Sequence, residues 1–85
     1  MGKKDKLINK LRTNPKDFTF DEAETLLGLL SFRRSNKGKT SGSRVKYIND
    51  NNHCVILLHR PHPEKELKAY QIKQLLDILS QEGMI

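Results

Sequence analysis

Apolar positions along the chain change their spacing from segment to segment, and each change predicts a different element. Leu7, Ile8 and Leu11 recur at helical intervals among lysines, which predicts a short basic helix over residues 3–12. Asn14-Pro15 ends it, because the residue before a proline is driven out of the helical region. Thr19-Phe-Asp-Glu22 then has capping-box spacing: the Thr19 hydroxyl accepts from the Glu22 amide while the Glu22 carboxylate reaches back. Asp21 and Glu22 also suit the positive end of the helix dipole. The helix so started turns Ala23, Leu26, Leu27 and Leu30 inward and ends near Leu29 or Leu30, with Gly28 beside its last turn.

The middle of the chain reads as extended. Phe32 to Ser35 predicts a first short strand and Asn36-Lys-Gly38 a turn. Ser43 to Asn49 alternates, with Val45 and Tyr47 on one face and Arg44 and Lys46 on the other. Asp50-Asn51-Asn52 is a hairpin turn by composition. Cys54 to His59 follows as a third strand, and its unbroken apolar run predicts a central position covered on both sides, though pattern alone leaves a buried helix open. After the proline-punctuated Arg60-Pro-His-Pro63, Ile72, Leu75, Leu76 and Leu79 form a helical stripe, predicting a last helix from about Ala69 to Ser80 with Gly83 as its stop. The order is ααβββα, an α+β domain: a three-stranded antiparallel sheet with helices on one face.

Composition narrows the class. Eighty-five residues make one domain spanning 1–85, with an apolar content of 35% and a charged content of 31%. That balance suits a small globular fold and lies outside the regime of disorder. The segment after Met1, GKKDKLINKL, is not a secretory signal, and no apolar run approaches the roughly 20 residues of a membrane span. The single cysteine, Cys54, sits inside an apolar run and reads as a buried small hydrophobe. These features predict a soluble, cytoplasmic protein without a membrane partner.

Charge adds the first functional signal. Arg33, Arg34, Lys37, Lys39, Arg44 and Lys46 fall within fourteen residues that contain no acid, and they account for the whole net charge of +6. Elsewhere ten Lys and Arg balance ten Asp and Glu. A neutral protein with one cationic strip favours a polyanion, since clustered cations gain from Coulomb attraction and counterion release. The plainer reading is a solvated loop that uses charge for solubility. DNA phosphates fit such a strip as well as RNA, but no helix-turn-helix pair with a basic recognition helix is present.

Two motifs carry a resemblance. Gly42-Ser43-Arg44 opens the second strand behind the basic turn, and His62-Pro-Glu-Lys-Glu-Leu-Lys68 leads into the last helix. With the ααβββα order, which is similar to the double-stranded-RNA-binding fold, they resemble the HicA family of toxin ribonucleases. In that family a Gly-Ser-His motif opens the strand, and a histidine followed by Lys-x-Leu-Lys precedes the helix. The likeness runs from about Thr19 to Ile85, leaving residues 1–14 as an extra N-terminal helix. It implies an endoribonuclease that cleaves mRNA without a metal or other cofactor and is neutralised by a HicB-type antitoxin. Contact with DNA is implied only indirectly, through an antitoxin complex.

One position departs from the family. Arg44 stands where the resemblance places a catalytic histidine, and an arginine stays protonated, so it suits a phosphate clamp and not a general base. The base then falls to His62, in a loop between Arg60 and Lys65, or to His59 at the end of the third strand. Each has a plainer reading: His62 as a turn residue between prolines, His59 as strand-end packing. A hairpin closing at 50–52 pairs residues whose numbers add to about 102 or 103, which sets His59 beside Ser43 or Arg44. Lys37, Lys39, Thr40, Ser41, Ser43, Arg44, Lys46, Arg60, Lys65 and Lys68 complete the expected RNA footprint, with Gly38 and Gly42 allowing close backbone approach. His53, at the other end of the sheet, reads as surface. The histidines and Cys54 lack metal-ligand spacing. The aromatics, mostly at core-facing positions, argue against recognition of splayed bases. A second reading stands beside the enzyme: a non-catalytic RNA-binding or antitoxin-binding module that has lost its base.

Overall fold

The structure is a computed structural model that describes residues 2–35, 44–61 and 64–85. Its elements are α1 (Lys3–Arg12), α2 (Phe20–Leu29), β1 (Phe32–Arg34), β2 (Arg44–Asn49), β3 (Cys54–His59) and α3 (Ala69–Gln81). The expected ααβββα order and α+β class are therefore present, in the double-stranded-RNA-binding layout. The strands form one antiparallel sheet in the order β1-β2-β3.

Local chemistry accounts for where the helices start and stop. The Glu22 amide donates to the Thr19 hydroxyl at 3.1 Å, and the Thr19 amide donates to the Glu22 carboxylate at 3.1 Å, a closed capping box. Lys10 reaches across from α1 to the same carboxylate at 2.9 Å. Burial pulls the Glu22 carboxyl upward, but the Lys10 ammonium and the Thr19 amide outweigh it and hold it below the usual range. Each helix closes through a left-handed residue: Asn14 (φ 54°), Ser31 (φ 72°) and Gly83 (φ 71°). At Gly83 the closure is a Schellman motif, with Gly83 donating to Ser80 and Met84 to Leu79. Gly28 stays inside α2, and Ser31 makes the turn that follows it.

Alternation on β2 divides the sheet into two faces. Val45 and Tyr47 turn toward the helices together with Phe32, Ile56 and Leu58, where they meet Ala23, Leu26, Leu27, Ile72, Leu75 and Leu79 in one core. Leu7 and Leu11 from α1 belong to that core, and Leu11 is fully buried. Burying a leucine so completely contributes about 2 kcal/mol, so α1 is part of the packed unit.

The expectation of a central β3 is overturned. β3 lies at the edge of the sheet, and its burial alternates strictly: Cys54, Ile56 and Leu58 inward, Val55, Leu57 and His59 exposed. Its outer face carries Val55 and Leu57 although it is exposed, so the apolar run Cys54–Leu58 does not report two-sided cover.

Candidate nucleic-acid interface

The site is assembled from the strand register upward. Arg44 pairs with His59, Val45 with Leu58 and Lys46 with Leu57, as the turn composition suggested. The Ser35 amide donates to the Lys46 carbonyl at 2.8 Å, so Lys46 turns its backbone toward β1. Arg44 does the same by alternation, which makes Arg44 and His59 a non-hydrogen-bonded pair, the kind whose Cα atoms stand about 4.5 Å apart. Both side chains are exposed on the helix-free face. An arginine and a histidine thus stand side by side at one end of the sheet. Gln71, the buried third residue of the neighbouring α3 helix, accepts the His59 amide at 2.9 Å and fixes that strand end.

The basic strip does not act as one unit. Arg33 donates to Asp50 at 2.7 and 3.2 Å across the sheet. That hydrogen bond from Arg33 holds the Asp50 carboxyl below the usual carboxylate range. Arg34 lies 3.6 Å from Glu24, whose carboxylate also accepts from the Tyr47 hydroxyl at 2.6 Å. Burial first, then that carboxylate, push the Tyr47 phenol up. Two of the six cations, Arg33 and Arg34, are therefore paired with intramolecular acids at the surface, and neither belongs to the expected RNA footprint. Among the described residues, Arg44 and Lys46 form no ion pair.

The second motif is anchored by its leucine. Leu67 is buried and its amide donates to Phe18 at 2.8 Å, while the Phe20 amide donates to Lys65 at 2.9 Å. This short pairing clamps residues 65–67 against the start of α2 and leaves Lys65 and Lys68 exposed. Lys68 shares a cleft of about 300 Å3 with His59, Arg60, Pro61, Tyr70, Gln71 and one acid, Glu64. Arg60 sits 5.0 Å above the Phe20 ring, a cation–π contact that holds its guanidinium at the rim of a neighbouring cleft lined also by Lys65.

Of the expected footprint the structure brings Arg44, His59 and Lys68 to one end of the sheet, with Lys46 one outer-face position further along β2. Arg60 borders both the His59 cleft and the Phe20 ring, while Lys65 lies around the corner, toward α2. Lys37, Lys39, Thr40, Ser41 and Ser43, the glycines Gly38 and Gly42, and His62 fall outside the described residues. Among the described residues no three His, Cys, Asp or Glu side chains gather as a metal site, and no helix is long and apolar enough to cross a membrane. Sequence reasoning missed Gln71 and Tyr70. Four of the five aromatics are buried, but Tyr70 is 55% exposed at the lip of the His59 cleft. Its place just outside the Ile72–Leu79 stripe was the available signal.

These features define a class: a small α+β domain of double-stranded-RNA-binding type, with cations and a histidine at one end of its sheet. The family model described as the HicA toxin of bacterial toxin-antitoxin matches residues 20–81, and the chain belongs to that family. Membership makes it a toxin-type chain and implies a partner within a toxin–antitoxin pair. The match begins after α1, although α1 is packed into the core. No curated protein and no solved structure gives a significant match.

Proposed function

We propose that this chain is a metal-independent endoribonuclease that binds and cleaves mRNA and is neutralised by a HicB-type antitoxin. The observation that carries this reading is the Arg44–His59 pair on the open face, with Lys68 in the cleft beside His59 and, among the described residues, no acid paired with Arg44. In this reaction a histidine takes the proton of a ribose 2′-hydroxyl. The 2′-oxygen bonds to the adjacent phosphorus as the bond to the 5′-oxygen breaks, and the departing oxygen takes a proton from water or a second histidine. Arg44, with Lys68, offsets the charge that builds on the phosphoryl oxygens. His59 is the base candidate beside the clamp, and His62, from the family-like motif, is the other. Lys37, Lys39, Thr40, Ser41, Ser43, Lys46, Arg60 and Lys65 extend the phosphate contacts.

A second reading is favoured by one residue. Arg44 occupies the position where the family resemblance expects a histidine, which suits a module that binds RNA or antitoxin without cutting. A labelled RNA incubated in EDTA with the wild type, His59→Ala and His62→Ala separates the two. The enzyme reading expects fragments with 2′,3′-cyclic phosphate ends, and a loss of about 100-fold or more in the variant that lacks the base. Intact RNA that is nonetheless bound would overturn the enzyme and leave the module.

A further inference from the structure

The free edge of the sheet is unguarded. Natural sheets blunt their edges with charge, proline, bulges or shortness, because unpaired backbone groups there template another strand. The β1 edge follows that rule: it is three residues long and two of them are arginines. β3 is twice as long, reads Cys-Val-Ile-Leu-Leu-His, and contains neither a formal charge nor a proline. Val55 and Leu57 are 46% and 53% exposed on it.

The register identifies which groups stand open. Lys46 bonds toward β1, so Val45, Tyr47 and Asn49 bond toward β3 through Leu58, Ile56 and Cys54. Val55, Leu57 and His59 consequently point their amides and carbonyls outward. Gln71 occupies the His59 amide. Among the described residues, nothing pairs with the amides and carbonyls of Val55 and Leu57.

We infer that β3 is the dimer interface of this protein, pairing antiparallel with β3 of a second copy about a twofold axis through Ile56. That axis sets Val55 opposite the partner's Leu57 and Leu57 opposite the partner's Val55. All four outward amides and carbonyls on each side of the axis are then used, giving four intermolecular hydrogen bonds. Shifting the axis to Leu57 would require the His59 amide that Gln71 already holds, and shifting it to Val55 would use fewer strand residues, so the cap selects the register. Charge permits the approach. The unpaired cations of the described sheet, Arg44 and Lys46, lie on β2, one strand back from the seam, and the strand that meets its copy is neutral. The product is a six-stranded sheet with a continuous aliphatic row of Val55 and Leu57 on its open side, bearing a cationic end on each half. This inference does not depend on the ribonuclease reading.

Sedimentation between about 1 and 200 μM tests it. The wild type should pass from monomer to dimer within that range, since seams under about 1,200 Å2 belong to the weak, transient class. Val55→Pro removes an outward amide without touching the β2–β3 ladder, and Leu57→Lys places a charge on the edge. Both should remain monomeric to the highest concentration with an unchanged circular dichroism spectrum. Ile48→Lys, on the same face but one strand back, should still dimerise. In the wild type, amide exchange at Val55 and Leu57 should slow at least tenfold across the concentration series. A wild type that is monomeric throughout would overturn the proposal. So would Val55→Pro dimerising like the wild type, or dissociation by Ile48→Lys alone, which would indicate stacking of faces.

Discussion

The two halves of the basic strip look alike in the chain and differ in the fold. On β1, Arg33 and Arg34 are held by Asp50 and by Glu24. On β2, Arg44 and Lys46 project from the open face with no acid against them among the described residues. The difference is one of position. β1 lies over the α2 helix that carries Glu24 and level with the turn that carries Asp50, so its arginines find partners that tie the hairpin to the helix. Among the described residues no acid forms an ion pair with Arg44 or Lys46, although Glu64 lines the cleft beside His59. A count of charges along a chain measures neither case, because each cation's use is decided by what the register sets opposite it.

Charge reversal should break this contrast most strongly. Arg44→Glu should reduce RNA cleavage by about 100-fold or more, on the scale of losing a preorganised donor to a phosphoryl transition state. Arg33→Glu should change cleavage far less, and a gel-based rate comparison of the two variants checks this. A smaller effect is expected from Tyr47→Phe, which removes the hydroxyl bonded to Glu24 and loosens the carboxylate that Arg34 also contacts. Its cost, read from chemical denaturation, should be about 1–2 kcal/mol, with cleavage retained.

Acid should sharpen the same distinction by a modest amount. Asp50 has its folded pKa depressed by the Arg33 hydrogen bond, so its contribution to stability is present above the ordinary carboxylate range. That contribution fades as pH falls through the lower folded value. Nuclear magnetic resonance titration should place the Asp50 midpoint below the usual value of about 3.9, and Arg33→Ala should return it there. The smallest change is expected at His53, which closes the β2–β3 turn at φ 58°. His53→Gly should raise stability by about 0.5–1 kcal/mol in thermal unfolding, with RNA affinity unchanged because this turn lies at the far end of the sheet from Arg44.

Much of the fold was legible because local rules sufficed. The Thr19–Glu22 box, the period of Ile72, Leu75 and Leu79, and the alternation of Arg44 to Asn49 each name their element without help from the rest of the chain. Turn composition even narrowed the partner of His59 to Ser43 or Arg44, of which the sheet has Arg44, since the residues joined by a short hairpin are set by where it closes. What failed was global. Apolar residues at every position of Cys54–Leu58 read as burial on both sides, but strand order decides which strand is an edge, and no period reports it. The commitment of Arg33 to Asp50, seventeen residues away, was invisible for the same reason. Ser31 and His53 hold left-handed turns that composition would have given to glycine or asparagine. Tyr70 was set aside with the other aromatics although its position lies off the buried stripe.

Salt dependence tests the division of the strip most directly. Each phosphate contact on single-stranded RNA should contribute about 0.7 to the slope of log affinity against log salt. The account predicts that Arg44→Ala with Lys46→Ala lowers that slope by about 1.4, while Arg33→Ala with Arg34→Ala leaves it unchanged. An equal loss in both double variants, or a loss confined to the β1 pair, would contradict it.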